Sequence, residues 1–133
     1  MRICAYKEME VKKMNEIMNI FKTLSDETRL RIIMLIHFDE LCVCEISGIL
    51  DVTQPTVSKG LSKLRDLNLV TDTRREKYVY YKLREDDKVL KNIVSDLAEN
   101  LEKYPVLLDD YKRISTKWKY SNTPTAIDEN ILA

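Results

Sequence analysis

Cys42 and Cys44 lie two residues apart in the run Glu40-Leu41-Cys42-Val43-Cys44-Glu45-Ile46. Cysteine thiolates at close range are ligands for soft ions. Inside a regular helix, side chains two apart point about 200° from each other and could not share an ion. At a helix start the geometry changes. Cys42 stands where an N-cap Ser or Thr is expected and Cys44 falls in the first turn, so both sulfurs can converge beyond the helix end. The free N–H groups and macrodipole there favour thiolate over thiol. Three cysteines in the whole chain make a poor disulfide framework. Two other fates stay open for these thiols: reversible oxidation, or packing as small buried hydrophobes. The single histidine, His37, falls at a helix end and reads as a surface or capping residue. With no glycine-rich phosphate loop and no nucleophile–base cluster, the chain does not read as an enzyme.

A second constellation suits duplex DNA. Gln54, Thr56, Ser58, Lys59, Ser62 and Lys63 form one polar face of a helix, with Thr53 as its N-cap and Pro55 in its first turn. Short polar side chains on a helix can meet base edges in the major groove. Arg74, Arg75 and Lys77 crowd the link of a β-hairpin that follows. The chain has zero net charge, yet residues 53–84 hold eight Lys or Arg against three acids, leaving 14 bases and 19 acids elsewhere. Such a distribution attracts phosphate at one face only. Ordinary solvated surface is the plainer reading of each of these side chains.

The elements that position both groups follow from apolar spacing. Met14, Ile17, Met18, Phe21 and Leu24 make one stripe on a helix over Glu8–Leu24. Asp26 and Glu27 open a second helix through Leu30, Ile33, Met34 and Ile36, ending near His37-Phe38-Asp39. A short helix, Val43 to Leu50, turns Ile46, Ile49 and Leu50 inward. After the turn Asp51-Val52-Thr53, a further helix buries Val57, Leu61 and Leu64. Leu69–Thr73 and Tyr78–Leu83 read as two strands joined by residues 74–77. A helix starting near Asp86 carries Leu90, Ile93, Leu97 and Leu101. Pro105 stops or bends it, Val106–Lys119 predicts one more helix, and Ser121 opens a loose tail. The fold class is therefore mainly α with a β-hairpin wing, in the element order of a winged helix-turn-helix, whose dimeric state is what the resemblance given below implies. Residues 1–104 form that domain with its flanking dimerisation helices, and 105–133 a C-terminal helical extension and tail. No apolar run approaches the roughly 18 residues of a membrane span, and the amino terminus is too charged for a secretory signal. A cytoplasmic protein is expected.

Phe21 to Ile32 (FKTLSDETRLRI), Thr53 to Ser58 (TQPTVS), Leu61 to Arg65 running on to Leu69-Val70, and the wing Arg74 to Tyr81 resemble the ArsR/SmtB family of repressors over about residues 15–100. The resemblance implies a homodimer that binds an inverted-repeat operator in double-stranded DNA and lets go when its inducer binds. By position, Gln54, Ser58 and Lys59 would read bases. Family members often carry His where Lys59 and Gly60 stand, and a glycine at the wing tip that is absent here. Cys42 and Cys44 match the family's metal-binding box. The third cysteine of the arsenic-responsive branch is replaced by Ser47; in the cadmium- and lead-sensing branch an amino-terminal cysteine completes the site, and Cys4 is the candidate for that part. As(III), Sb(III), Cd(II) and Pb(II) all remain open as inducer. Residues 86–103 contain no His, so the family's zinc-type site on the last helix lacks its donors. A thiol-redox or metal-independent winged-helix regulator is the rival reading.

Overall fold

The computed structural model describes the backbone of residues 2–120 and the side chains of residues 9–120. Cys4 therefore lies on a helical backbone while its side chain falls outside the described residues, as do residues 121–133 of the expected tail. The elements are α1 (Arg2–Leu24), α2 (Glu27–Phe38), β1 (Leu41–Cys42), α3 (Val43–Leu50), α4 (Gln54–Asp66), β2 (Val70–Arg75), β3 (Tyr78–Leu83), α5 (Lys88–Glu99), α6 (Pro105–Arg113) and two 3-10 helices, Leu101–Lys103 and Ile114–Lys119.

The core is centred on α2, whose Ile32 to Ile36 are all buried. Ile46, Ile49 and Leu50 from α3, Val57, Leu61 and Leu64 from α4, and Leu90 and Val94 from α5 close around it. Each fully buried Leu or Ile contributes about 1.5–3 kcal/mol. Gly60 is buried because Ile32 of α2 packs over it. Two helix starts are fixed locally: the Asp26 carboxylate accepts from Arg29 N–H at 3.0 Å, and Thr53 Oγ1 from Thr56 N–H at 3.4 Å.

Several sequence expectations are corrected. The sheet has three antiparallel strands in the order β1-β3-β2, because the two-residue β1 pairs Leu41 with Tyr81 and Cys42 with Tyr80. The four-residue wing link shrinks to Glu76-Lys77, and Arg74 and Arg75 extend β2 opposite Val79 and Tyr78. Glu76 takes φ 56°, a left-handed conformation that a glycine would adopt without steric cost. The helix expected from Asp86 begins at Lys88: Arg84 engages the Asp86 carboxylate at 2.8 Å, and Asp87 caps Leu90 N–H at 3.2 Å. Leu101 leaves that helix for a 3-10 turn. The expected single helix Val106–Lys119 tightens to 3-10 at Ile114. Ser115 and Thr116 hydroxyls donate to the carbonyls of Lys112 and Arg113 there, the competition that disfavours such residues inside α-helices.

The chain after Pro105 packs back on α2 and α3. Arg31 grips buried Asp110 with two bonds of 2.8 and 2.9 Å, Lys117 reaches Asp39 at 2.6 Å, and Phe38 lies against Tyr111 with centroids 4.6 Å apart.

Candidate nucleic-acid interface and thiol site

Amphipathic spacing positions the polar face of α4. With Val57, Leu61 and Leu64 turned into the core, α4 leaves Gln54, Thr56, Ser58, Lys59, Ser62 and Lys63 exposed, together with the cap Thr53. The Thr53 and Thr56 hydroxyls lie 2.9 Å apart, so these two are partly used by the cap itself. In the wing, Arg74, Arg75 and Lys77 are exposed. They are not equivalent. Alternation along β2 places Arg74 and Arg75 on opposite faces. Arg75 is bound by Glu40 at 2.7 Å and lies over the Tyr80 ring, 4.3 Å from its centroid. Sequence reasoning missed Glu40; a partner 35 residues away leaves no local trace.

The thiol segment begins the helix immediately before α4. Cys42 closes β1 and is the N-cap of α3, with extended backbone (φ −97°, ψ 171°), and Cys44 lies in the first turn. The Glu45 carboxylate accepts from Cys42 N–H at 3.0 Å, so Glu45 is buried with a partner. Cys42 is 1% exposed, whereas Cys44 is half-buried. Burial pushes the Cys42 thiol up to about 11, despite the opposing hydrogen bond from the Glu45 backbone. This corrects the expectation of a favoured thiolate: desolvation outweighs the helix terminus at Cys42. Tyr78 and Tyr80 are likewise raised, chiefly by desolvation, with Cys42 adding to both and Cys44 to Tyr78. The Gln54 side-chain amide donates to the Cys44 sulfur at 3.7 Å.

Among the described residues no three His, Cys, Asp or Glu side chains gather in metal-holding geometry. His37 stands apart, edge-on to Phe38 in the last turn of α2. The donor set at α3 is two sulfurs, which suits a thiophilic ion and needs a further ligand to complete a three-thiolate shell.

A family model described as bacterial regulatory protein, arsR family, matches residues 26–72. That span covers α2, β1, α3, α4 and the start of β2. A cadmium resistance transcriptional regulatory protein CadC homolog from Staphylococcus aureus is 33% identical over 68% of this chain and 74% of its own. The chain belongs to the ArsR family. The arsenic resistance transcriptional regulator ArsR1 of Pseudomonas putida is 40% identical, covering 56% of this chain and 63% of that relative. The chain spans less than two thirds of the length of four arsenic regulators it matches, between 50% and 63%. Among solved structures, reduced HlyU from Vibrio cholerae superposes with a TM-score of 0.61 at 29% identity, over 70% of this chain and 95% of that one. ArsR1 and the CadC homolog are named as transcriptional regulators, and the helices and three-stranded sheet described above make this chain a winged helix-turn-helix. No helix among the described residues is long and apolar enough to cross a membrane.

Proposed function

We propose that this ArsR-family protein is a homodimeric repressor that binds operator DNA through α4 and the wing and is released when a thiophilic ion binds at α3. The observation that carries the reading is the 3.7 Å approach of Gln54 to Cys44. It joins the first residue of the reading helix to a thiol of the sensing segment. Thr53, Gln54, Thr56, Ser58, Lys59, Ser62 and Lys63 would face the major groove, and Arg74, Arg75 and Lys77 the adjoining backbone.

Cys42 and Cys44 would hold As(III), Sb(III), Cd(II) or Pb(II), with Cys4 as third ligand. When bound, such an ion supplies strong attraction for thiolate sulfur. Cys42 must first lose the proton that its burial retains, and metal uptake then releases protons. Were Cys44 drawn into that shell, it would give up its hydrogen bond from Gln54, and α4 would lose a contact at its first turn. The dimer is supported by α1: Val11, Met14, Met18 and Phe21 are 44–59% exposed in a single chain and share one helix face, a stripe suited to a second copy. Burial of Cys42 as a thiol weighs against the redox rival, since oxidants attack exposed thiolates.

The test is fluorescence anisotropy of a duplex from the gene's own upstream region, with reduced protein and each of arsenite, antimonite, cadmium and lead. At least one ion should release the wild type and leave Cys42→Ser/Cys44→Ser bound. Release of the double variant by the same ion overturns the site assignment. Failure of wild-type protein to bind any duplex at low salt overturns the reading as a whole.

A further inference from the structure

Three basic side chains of the wing face solvent, and only one of them is held by a carboxylate. Arg75 on β2 crosses over Tyr80 on β3 and meets Glu40, the residue before β1. The register puts Arg75, Tyr80 and Cys42 on one face of the sheet, so the ion pair is strung across all three strands. The guanidinium is fixed from two sides, by a 2.7 Å charge-assisted bond and by ring stacking at 4.3 Å. Neither Arg74 nor Lys77 has an acidic partner among the described residues. The Arg75 and Glu40 side chains remain 53% and 33% exposed, so an incoming anion can reach the pair.

We propose that Glu40 is an internal competitor for DNA: its carboxylate occupies the Arg75 guanidinium, and a backbone phosphate must take Arg75 from it. The inference rests on the DNA-binding reading above and adds its regulation. Carboxylate and phosphate oxygens offer a guanidinium the same paired acceptors, so one partner excludes the other. Glu40 directly precedes Leu41-Cys42; a shift of the thiol segment therefore moves the competing carboxylate with it. Glu40 is a positioning residue in this scheme, acting on DNA only through Arg75.

Operator binding by wild type, Glu40→Gln, Arg75→Ala and the double variant, each measured across a salt series, tests this, with thermal melts to show that every variant folds. Glu40→Gln should tighten binding by about two- to fivefold per subunit, the scale of an exposed ion pair. Arg75→Ala should weaken binding and flatten the slope of log K against log salt by about 0.9 per subunit, one phosphate contact. In the Arg75→Ala background, Glu40→Gln should change nothing. A gain that persists without Arg75 overturns the proposal, because it would reflect only loss of a negative charge near the duplex. Unchanged or weaker binding by Glu40→Gln overturns it too. Both results leave the DNA-binding reading standing, whereas wild-type protein that ignores every duplex brings down that reading and this inference together.

Discussion

Gln54 Nε2 and Cys44 Sγ stand 3.7 Å apart across the turn between α3 and α4. The side chain proposed to read bases and the thiol proposed to hold the ion are thus in contact within one chain, and a substitution can separate the two proposed roles. Gln54→Ala should lower operator affinity by about 1–3 kcal/mol, the worth of one good bidentate base contact, and relax the preference at one base-pair position. Ion uptake by the thiols, followed through thiolate-to-metal absorption, should reach the same end point as in the wild type. An equal loss on operator and random DNA, with a reduced salt slope, would instead place Gln54 on the phosphate backbone.

A salt bridge between α2 and α6 ties the C-terminal segment to the core. Asp110 is 1% exposed and receives both Arg31 bonds, while the Arg31 side chain keeps 16% exposure. Asp110→Ala strands the cation against the core and should cost about 3 kcal/mol, the low end for a broken buried pair. Arg31→Met/Asp110→Leu removes both charges and should recover most of that loss. Urea unfolding midpoints of the three proteins decide it. Equal instability of single and double variants would show that packing of α6, rather than charge pairing, sets the cost.

The helices of this fold were legible because their causes are local. Val57, Leu61 and Leu64 are 0%, 1% and 0% exposed, as their spacing on one helix face requires, and the caps Asp26 and Thr53 sit within three residues of what they bind. The N-cap placement of Cys42 was legible for the same reason. What escaped was tertiary. A two-residue strand has no periodicity of its own, and β1 exists because Tyr80 and Tyr81 pair with it. The protonation of Cys42 was misjudged because a helix terminus is visible in sequence and burial is not. Asp110 and Glu40, 79 and 35 residues from the arginines they hold, carry no local mark of those partnerships.

His37 gives the fold an acid-sensitive position away from the thiols. Desolvation lowers its pKa from the usual 6.5, against the pull of Glu85 and with a smaller push from Lys91 in the same direction. Below about pH 6.5 the unfolded chain takes up the proton before the folded one. Stability present above that pH should therefore fall as pH drops through the unfolded and then the folded value. Replacing His37 by Gln should flatten the fall in stability that begins below about pH 6.5, read from urea midpoints at each pH. A profile as steep as the wild type's would assign the acid loss to carboxylates instead.

Gly48 on α3 is covered by the ring of Tyr120: a Cβ added there would overlap the ring carbons. That contact pins the 3-10 helix Ile114–Lys119 to the helix that carries Cys44. Gly48→Ala should displace the ring and lower amide-exchange protection over residues 114–119, leaving α2 and α4 protected. The helix itself prefers Ala over Gly by about 1 kcal/mol, so the two effects oppose each other in the wild-type background. In Tyr120→Ala protein the clash is gone, and the same Gly48→Ala change should then stabilise by up to about 1 kcal/mol. A Gly48→Ala protein with full protection over 114–119 would mean that Lys117–Asp39 and Arg31–Asp110 hold the segment without the ring.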